Sequence, residues 1–303
     1  MLIFNINKNK LDPIKEKEID LEKEIQKLTE NNLEEIFGLG LVSSEFSLQN
    51  FRIDTLAFDK ESKSFVIIEY KRDRSFSVID QGYTYLALML NNKADFILEY
   101  TENTKQSLRR EKVDWTQSKV IFIANSFTTY QQNAINFRDL PIELWEVKEF
   151  DNQTISYNQL ISPDSKESIK TVTKNKIIED VSEEIKVYTL EDHLEGLNEN
   201  IKNIFLALRD KILALKEGIE ERPKKMYISY RTKTAFVYIH LQQAQLKIHL
   251  IVKKDKLEDP RNISRDVTKI GHYGGGVTEV NLSNAEDINY IMTLIEQSFN
   301  LTK

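Results

Sequence analysis

The sequence predicts an α/β domain, a mixed β-sheet flanked by helices, followed by a smaller α+β domain. Three observations predict it. Over the first 160 residues, short runs rich in β-branched and aromatic residues alternate with segments of helical period. After Leu160 the chain turns polar, rich in Ser, Thr and Lys, as a linker does. Beyond it come a helical segment, a series of short strands and a terminal helix. The chain of 303 residues is long enough for two domains.

The elements read in order as follows. A short strand near Leu2 to Ile6 precedes a long amphipathic helix from about Ile19 to Phe37, closed by Gly38 and Gly40. Val42 to Leu48, Phe51 to Phe58 and Ser64 to Tyr70 form a meander, with Gln49-Asn50 and Asp59 to Lys63 as turns. A helix from Val78 to Leu90 stops at Asn91-Asn92, and Ala94 to Tyr100 reads as an apolar strand reached by a crossover. Lys119 to Ala124 is a buried strand by composition, Thr128 to Phe137 a helix, and Ile142 to Glu149 and Thr154 to Gln159 are closing strands. The first domain is thus 1–160, the linker 161–184 and the second domain 185–303. In the latter, Leu190 to Gly218 is helical, with Leu194, Leu197, Ile201, Ile204, Phe205 and Leu208 on one face. Strands at Met226 to Tyr230, Thr234 to Leu241 and Leu246 to Val252 form a meander, and Ala285 to Phe299 a closing helix.

One hairpin carries chemistry. Its first strand holds Arg52-Ile53-Asp54-Thr55-Leu56, and its second, Phe65-Val66-Ile67-Ile68-Glu69-Tyr70-Lys71, runs from a buried apolar stretch into two charges. Side chains alternate along a strand, so Glu69 and Lys71 project from one face and Tyr70 from the other. Burying such groups is costly unless they pair or bind a metal, which makes them a candidate site. Asp54, a gap of about fifteen residues, and Glu69-Tyr70-Lys71 resemble the signature of the PD-(D/E)XK nuclease superfamily, in wording its NucS-like, restriction-endonuclease-like branch. Ile53 stands in place of the Pro of that name. The resemblance covers roughly residues 20 to 160. It implies a restriction-endonuclease-like core and a helix presenting a Gln to the site, which Gln81 in Asp80-Gln81-Gly82-Tyr83-Thr84-Tyr85 fits, with Gln81, Tyr85 and Leu88 on one stripe. It also implies a Glu from the preceding helix. Glu22 matches best, with Glu24 and Glu45 as alternatives.

The implied activity is Mg2+-dependent hydrolysis of phosphodiester bonds by a DNA endonuclease, with Mn2+ as a substitute ion, in DNA repair or in defence. Asp54, Glu69 and Glu22 would ligate the metal with the Tyr70 carbonyl. Lys71 would orient water or offset charge, and Gln81 would hold Lys71, water or phosphate in register. The alternative is a nucleic-acid-binding or assembly protein that keeps the fold without turnover. RNA as substrate, the number of metals and a homodimeric state stay open. The second domain is similar to an uncharacterised domain fused behind such cores, which implies no activity.

Other features bound these expectations. Acid-x-Lys triplets recur at Glu61-Ser62-Lys63, Glu184-Ile185-Lys186 and Glu146-Val147-Lys148. Only the last lies on a strand, and its clean alternation marks Glu146 and Lys148 as a solvated ion pair. With no cysteine, disulfides and thiolate chemistry are excluded. His193, His240, His249 and His272 show no ligand spacing and read singly as surface or core residues. No apolar run of about twenty residues predicts a membrane span, and the start lacks a secretory leader, so a cytoplasmic location is expected. A net charge of −6 argues against nucleic acid over the whole surface but not against a local basic path. Lys71, Arg72 and Arg74 offer one such cluster, and Lys105, Arg109, Arg110 and Lys112 another, which reads equally well as solvated surface. In the second domain lysines interleave with Tyr227, Tyr230, Phe236 and Tyr238, as a base-stacking surface or as core strands with solvated edges. Gly271-His272-Tyr273-Gly274-Gly275-Gly276 reads as a flexible turn and not a P-loop.

Overall fold

A computed structural model describes residues 2–17, 22–71, 77–161 and 167–302. The expected helix start at Ile19, the cluster members Arg72 and Arg74, and the linker residues Ser162 to Lys166 lie outside them. The chain divides into two units, Met1–Val187 and Tyr188–Lys303.

The first unit opens with an exposed hairpin, β1 (Phe4–Asn7) and β2 (Lys10–Pro13), and a short strand β3 (Glu16–Lys17). The single expected helix is two, α1 (Glu22–Glu30) and α2 (Leu33–Phe37), parted at Asn31-Asn32. Gly38 ends α2 with a left-handed φ of 71°, the conformation only glycine takes without steric cost. Then come β4 (Gly40–Leu48), β5 (Phe51–Asp59), β6 (Ser64–Lys71), α3 (Val78–Asn91) and α4 (Lys93–Thr104). β7 (Lys119–Ala124), α5 (Thr129–Ala134), β8 (Ile142–Phe150) and β9 (Ile155–Leu160) complete the expected core. Two helices follow where a linker was expected, α6 (Ile169–Val172) and α7 (Lys176–Glu184).

The central sheet is mixed, in the order β3-β8-β7-β6-β5-β4 with β9 added on β8. β4, β5 and β6 are antiparallel, whereas β6, β7 and β8 run parallel. Alternation sorts β6 into two layers. Phe65 and Ile67 enter the larger core with Tyr83, Leu86 and Met89 of α3 and Phe96 and Tyr100 of α4. Val66, Ile68 and Tyr70 face the other way, against Ile25, Leu33 and Phe37 of α1 and α2.

Two expectations are corrected here. The segment Ala94 to Tyr100 is α4 and not a strand: Phe96 and Tyr100, four residues apart, are buried while Leu98 between them is exposed, the period of a helix. The stretch after residue 166 is no linker, because Ile169, Ile178, Val181 and Ile185 close the larger core. Its polar residues cover the outer face of α7 and hide that apolar stripe from a compositional reading.

The second unit runs α8 (Leu190–Leu194), α9 (Glu199–Leu213), β10 (Glu220–Pro223), β11 (Ile228–Arg231), β12 (Ala235–Leu241), β13 (Leu246–Leu250), β14 (Arg265–Asp266), β15 (Thr278–Leu282) and α10 (Ile288–Asn300). Six antiparallel strands in the order β10-β11-β12-β13-β15-β14 replace the expected three. Its core is built from α9, α10 and one sheet face, with Phe205, Leu208, Ile239, Ile248, Val280 and Ile295 among its members. Tyr230 and Phe236 are fully buried and Tyr227 and Tyr238 nearly so, which removes all four from any base-stacking surface. No helix among the described residues is long and apolar enough to cross a membrane.

Candidate active site

The β5–β6 ladder ends at the Thr55–Ile68 pair. Beyond it, side chains take over from backbone carbonyls as acceptors. The Asp54 N–H donates to Glu69 Oε1 at 3.1 Å, and the Tyr70 N–H donates to Asp54 Oδ2 at 3.0 Å. This exchange satisfies two backbone donors while the strands part, since β5 continues along β4 and β6 along β7 to the Lys71–Ala124 pair. The two carboxylates therefore sit in a fork at the carboxyl ends of the parallel strands, where open α/β sheets place their ligands.

Lys71 Nζ donates to Glu69 Oε2 at 3.2 Å. Glu69 is 1% exposed and Lys71 21%, so the ammonium stands on the solvent side of the pair. Burial and then the negative charge of Asp54 push Glu69 up to about 7. Asp54 is raised as well, chiefly by burial, with Glu45 adding repulsion. Glu45 stands across from Asp54 on β4 with a left-handed φ of 57°, a local break between the Ser44–Thr55 and Phe46–Ile53 pairs, and it pairs with Arg52 at 2.8 Å.

Helix α3 brings Gln81 to this side of the sheet. Its Ser77 cap accepts from Asp80 N–H, and Gly82 lets the first turns lie close on the sheet, because a Cβ there would come within 2.4 Å of Ile142 Cδ1. The Tyr85 side chain, one turn beyond Gln81, faces Glu69, and burial with the charge of Glu69 holds its pKa above the ordinary value. Tyr85 thus joins the site without having been assigned a role, although its i+4 spacing from Gln81 signalled the shared face.

From the opposite face, Gln26 of α1 donates to the Asp54 carbonyl at 2.8 Å and Glu30 accepts from the Thr55 hydroxyl at 2.6 Å. A buried Gln on the apolar side of an amphipathic helix was the available signal for this support. Glu22, on the same helix, is exposed in its first turn, and its layer lies across the sheet from Asp54 and Glu69. Among the described residues no three His, Asp or Glu side chains gather closely enough to hold a metal ion. The structure brings together Asp54, Glu69 and Lys71, with Gln81 in the first turn of α3 and Glu22 exposed at the start of α1.

The competing triplet proves different from its expectation. Lys148 pairs with Glu16 at 2.9 Å, and Glu146 accepts from the Phe127 N–H at 3.3 Å, so the two are not partners. The basic segment from Lys105 to Lys112 leads to Asp114, whose N–H donates to the Lys63 carbonyl. That places Asp114, at the end of this segment, by the start of β6, about 26 Å along the strand from Lys71 at 3.3 Å per residue.

A protein of Haemophilus influenzae, described as uncharacterized, is 44% identical over 299 residues, spanning 98% of this chain and 99% of the relative. The two chains belong to one family. A family model described as a domain of unknown function, DUF5655, matches residues 190–302, within the second unit. Among solved structures, a repair endonuclease from Pyrococcus abyssi is similar at a TM-score of 0.25 and 17% identity, over 44% of this chain and 49% of that one.

Proposed function

We propose that this family member is a metal-dependent endonuclease that hydrolyses phosphodiester bonds of DNA, using Asp54, Glu69, Lys71 and Gln81 with Mg2+ or Mn2+. One observation carries the reading: two partly desolvated acids from neighbouring strands share a fork with one ammonium. A structural ion pair would balance one acid with one base. Among the described residues a negative charge is left over here, and burial pushes both acids toward their neutral forms, which a bound cation would reverse. Hard carboxylate oxygens suit Mg2+ or Mn2+. Bound there, the ion would polarise a phosphoryl oxygen and bring the pKa of a water toward neutrality.

The chain's own groups divide the remaining work. Asp54 and Glu69 would hold the ion, each fixed by its bond to a backbone N–H, and Gln26 keeps the Asp54 backbone in place from behind. Lys71, tethered by Glu69, offsets negative charge gathering on the phosphoryl oxygens and orients the attacking water. Gln81, backed by Tyr85, holds that water or the phosphate in register. The water gives up a proton to solvent as its oxygen bonds to phosphorus, the ester P–O bond breaks, and the leaving alkoxide takes up a proton from solvent. The test is a cleavage panel of single-stranded, duplex and branched DNA and of RNA, with Mg2+ or Mn2+ and with chelator. Cleavage of a DNA member that chelator and Asp54→Asn both abolish is expected.

A second reading, a nucleic-acid-binding protein without turnover, draws on the fact that, among the described residues, no third acid gathers with Asp54 and Glu69 closely enough to hold a metal ion, Glu45 being paired with Arg52. It predicts salt-sensitive binding and no product with any ion.

A further inference from the structure

The four histidines look scattered in sequence, yet three of them stack in the second unit. The rings of His240 and His249 lie 4.9 Å apart and those of His249 and His272 4.5 Å apart. They stand on the sheet face turned away from α9 and α10. There Tyr238, His249, Glu279 and Arg265 form a continuous cross-strand row over β12, β13, β15 and β14, with His240 and Lys247 in the next row.

Residues 271–276 cover this row closely. A Cβ on Gly274 or Gly275 would come within 2.8 Å or 2.6 Å of Tyr238, and one on Gly276 within 2.5 Å of His249. The glycines therefore serve a backbone seated on two rings, and not a free turn. Histidines tie that backbone down. His240 Nε2 meets the Tyr273 carbonyl at 3.1 Å, and His272 meets Ile270 and Gly276 carbonyls at 2.8 Å and 2.7 Å with its two nitrogens.

We propose that residues 271–276 form a strap closed over the His249–Glu279 pair at neutral pH and released by acid, with His240 and His249 as the trigger. The charges facing these two rings explain why closure disfavours protons on them. Lys247 comes from β13, Glu279 from β15 and Arg265 from β14, while Tyr227 and Tyr238 flank the rings and His272 and Tyr273 come from the strap. Glu279, the acid facing His249, is already shared by Arg265 at 2.7 Å, His249 at 3.1 Å and Lys247 at 3.9 Å. Glu279 therefore has little left with which to hold a further imidazolium. His249 Nδ1 is buried without a hydrogen-bond partner, so a proton added there would also find no acceptor.

The direction of the switch follows by linkage. Closure lowers His249, chiefly by burial, and lowers His240 to about 4 through burial and then the neighbouring His249. The open strap binds protons more readily, so closure is complete above the ordinary value of 6.5 and is lost as pH falls from there toward 4. For His240 alone, opening at pH 5 is favoured about 30-fold over pH 8. Opening would bare the dyad, Tyr238 and Lys247 to solvent.

Hydrogen exchange of the full chain, corrected for the intrinsic pH effect on exchange, tests this at pH 8, 6.5 and 5. Strap amides are expected to lose protection about 30-fold by pH 5 while β12 and β13 keep theirs. His240→Gln should flatten the response, and His240→Asn, at the same half-buried position, provides a second variant should the first not fold. A strap whose protection ignores pH, a loss shared equally by β12 and β13, or an undiminished response in the folded variants would each overturn the proposal.

Discussion

Replacing Glu69 with Gln is expected to cut divalent-dependent cleavage by about a thousandfold while making the protein more stable above pH 7. Gln keeps the shape and the carbonyl oxygen that accepts the Asp54 N–H, so the fork stays satisfied. What it removes is a buried charge beside Asp54. Because folding raises Glu69 from 4.5 to about 7, the native state binds its proton more tightly than the unfolded chain. Wild-type stability therefore falls as pH rises through that window, and the cost is fully present above 7. The variant escapes it, gaining on the order of 2 kcal/mol at pH 8 and nothing at pH 4. Thermal unfolding at the two pH values checks the sign, expected as a rise of roughly 4–8 °C at pH 8 only. Equal stability at pH 8, or retained cleavage, would remove Glu69 from the site.

Enlarging Gly82 should have the second large effect. A Cβ at this position meets Ile142 Cδ1 at 2.4 Å and Cγ1 at 2.9 Å, with Phe122 behind at 3.5 Å. Ile142 and Phe122 are themselves buried, so neither can yield far. Gly82→Val is expected to cost about 2–3 kcal/mol by overpacking. It also lifts the first turns of α3, and a shift of about 1 Å in Gln81 and Tyr85 is enough to lower turnover roughly a hundredfold. The compensating pair Gly82→Ala with Ile142→Ala makes room on the sheet side. It should recover most of the turnover lost in Gly82→Ala alone, measured at saturating substrate. Failure of that rescue would mean that α3 does not set the site.

The hairpin and α3 were legible because their residues carry local signals: β-branched runs, turn residues and a Gln–Tyr stripe at i and i+4. Signals that depend on burial were not. Helix α4 is half polar, and its apolar residues Phe96, Ile97, Leu98 and Tyr100 mimic a strand until burial separates Leu98 from the rest. Helix α7 looks like a linker because Ile178, Val181 and Ile185 supply its core contacts amid charged neighbours. Strands β10, β14 and β15 are short or charged, and alternation over four or five residues identifies them poorly. The histidine stack is a tertiary meeting of β12, β13 and the strap that no spacing rule registers. Within the candidate site, Asp54, Glu69, Lys71 and Gln81 were proposed from pattern and resemblance. Gln26 and Tyr85 needed the packing of two helices on opposite faces of one sheet.

Calorimetric titration of Mn2+ into the full chain, compared with the Asp54→Asn, Glu69→Gln double variant, bears most directly on the paired acids. Wild type is expected to bind the ion, more weakly at pH 6 than at pH 8 because Glu69 must first give up its proton, by about tenfold per pH unit below 7. The double variant should show no such binding at either pH. Equal binding by both proteins, or none by wild type at pH 8, would contradict a fork built to hold a divalent cation.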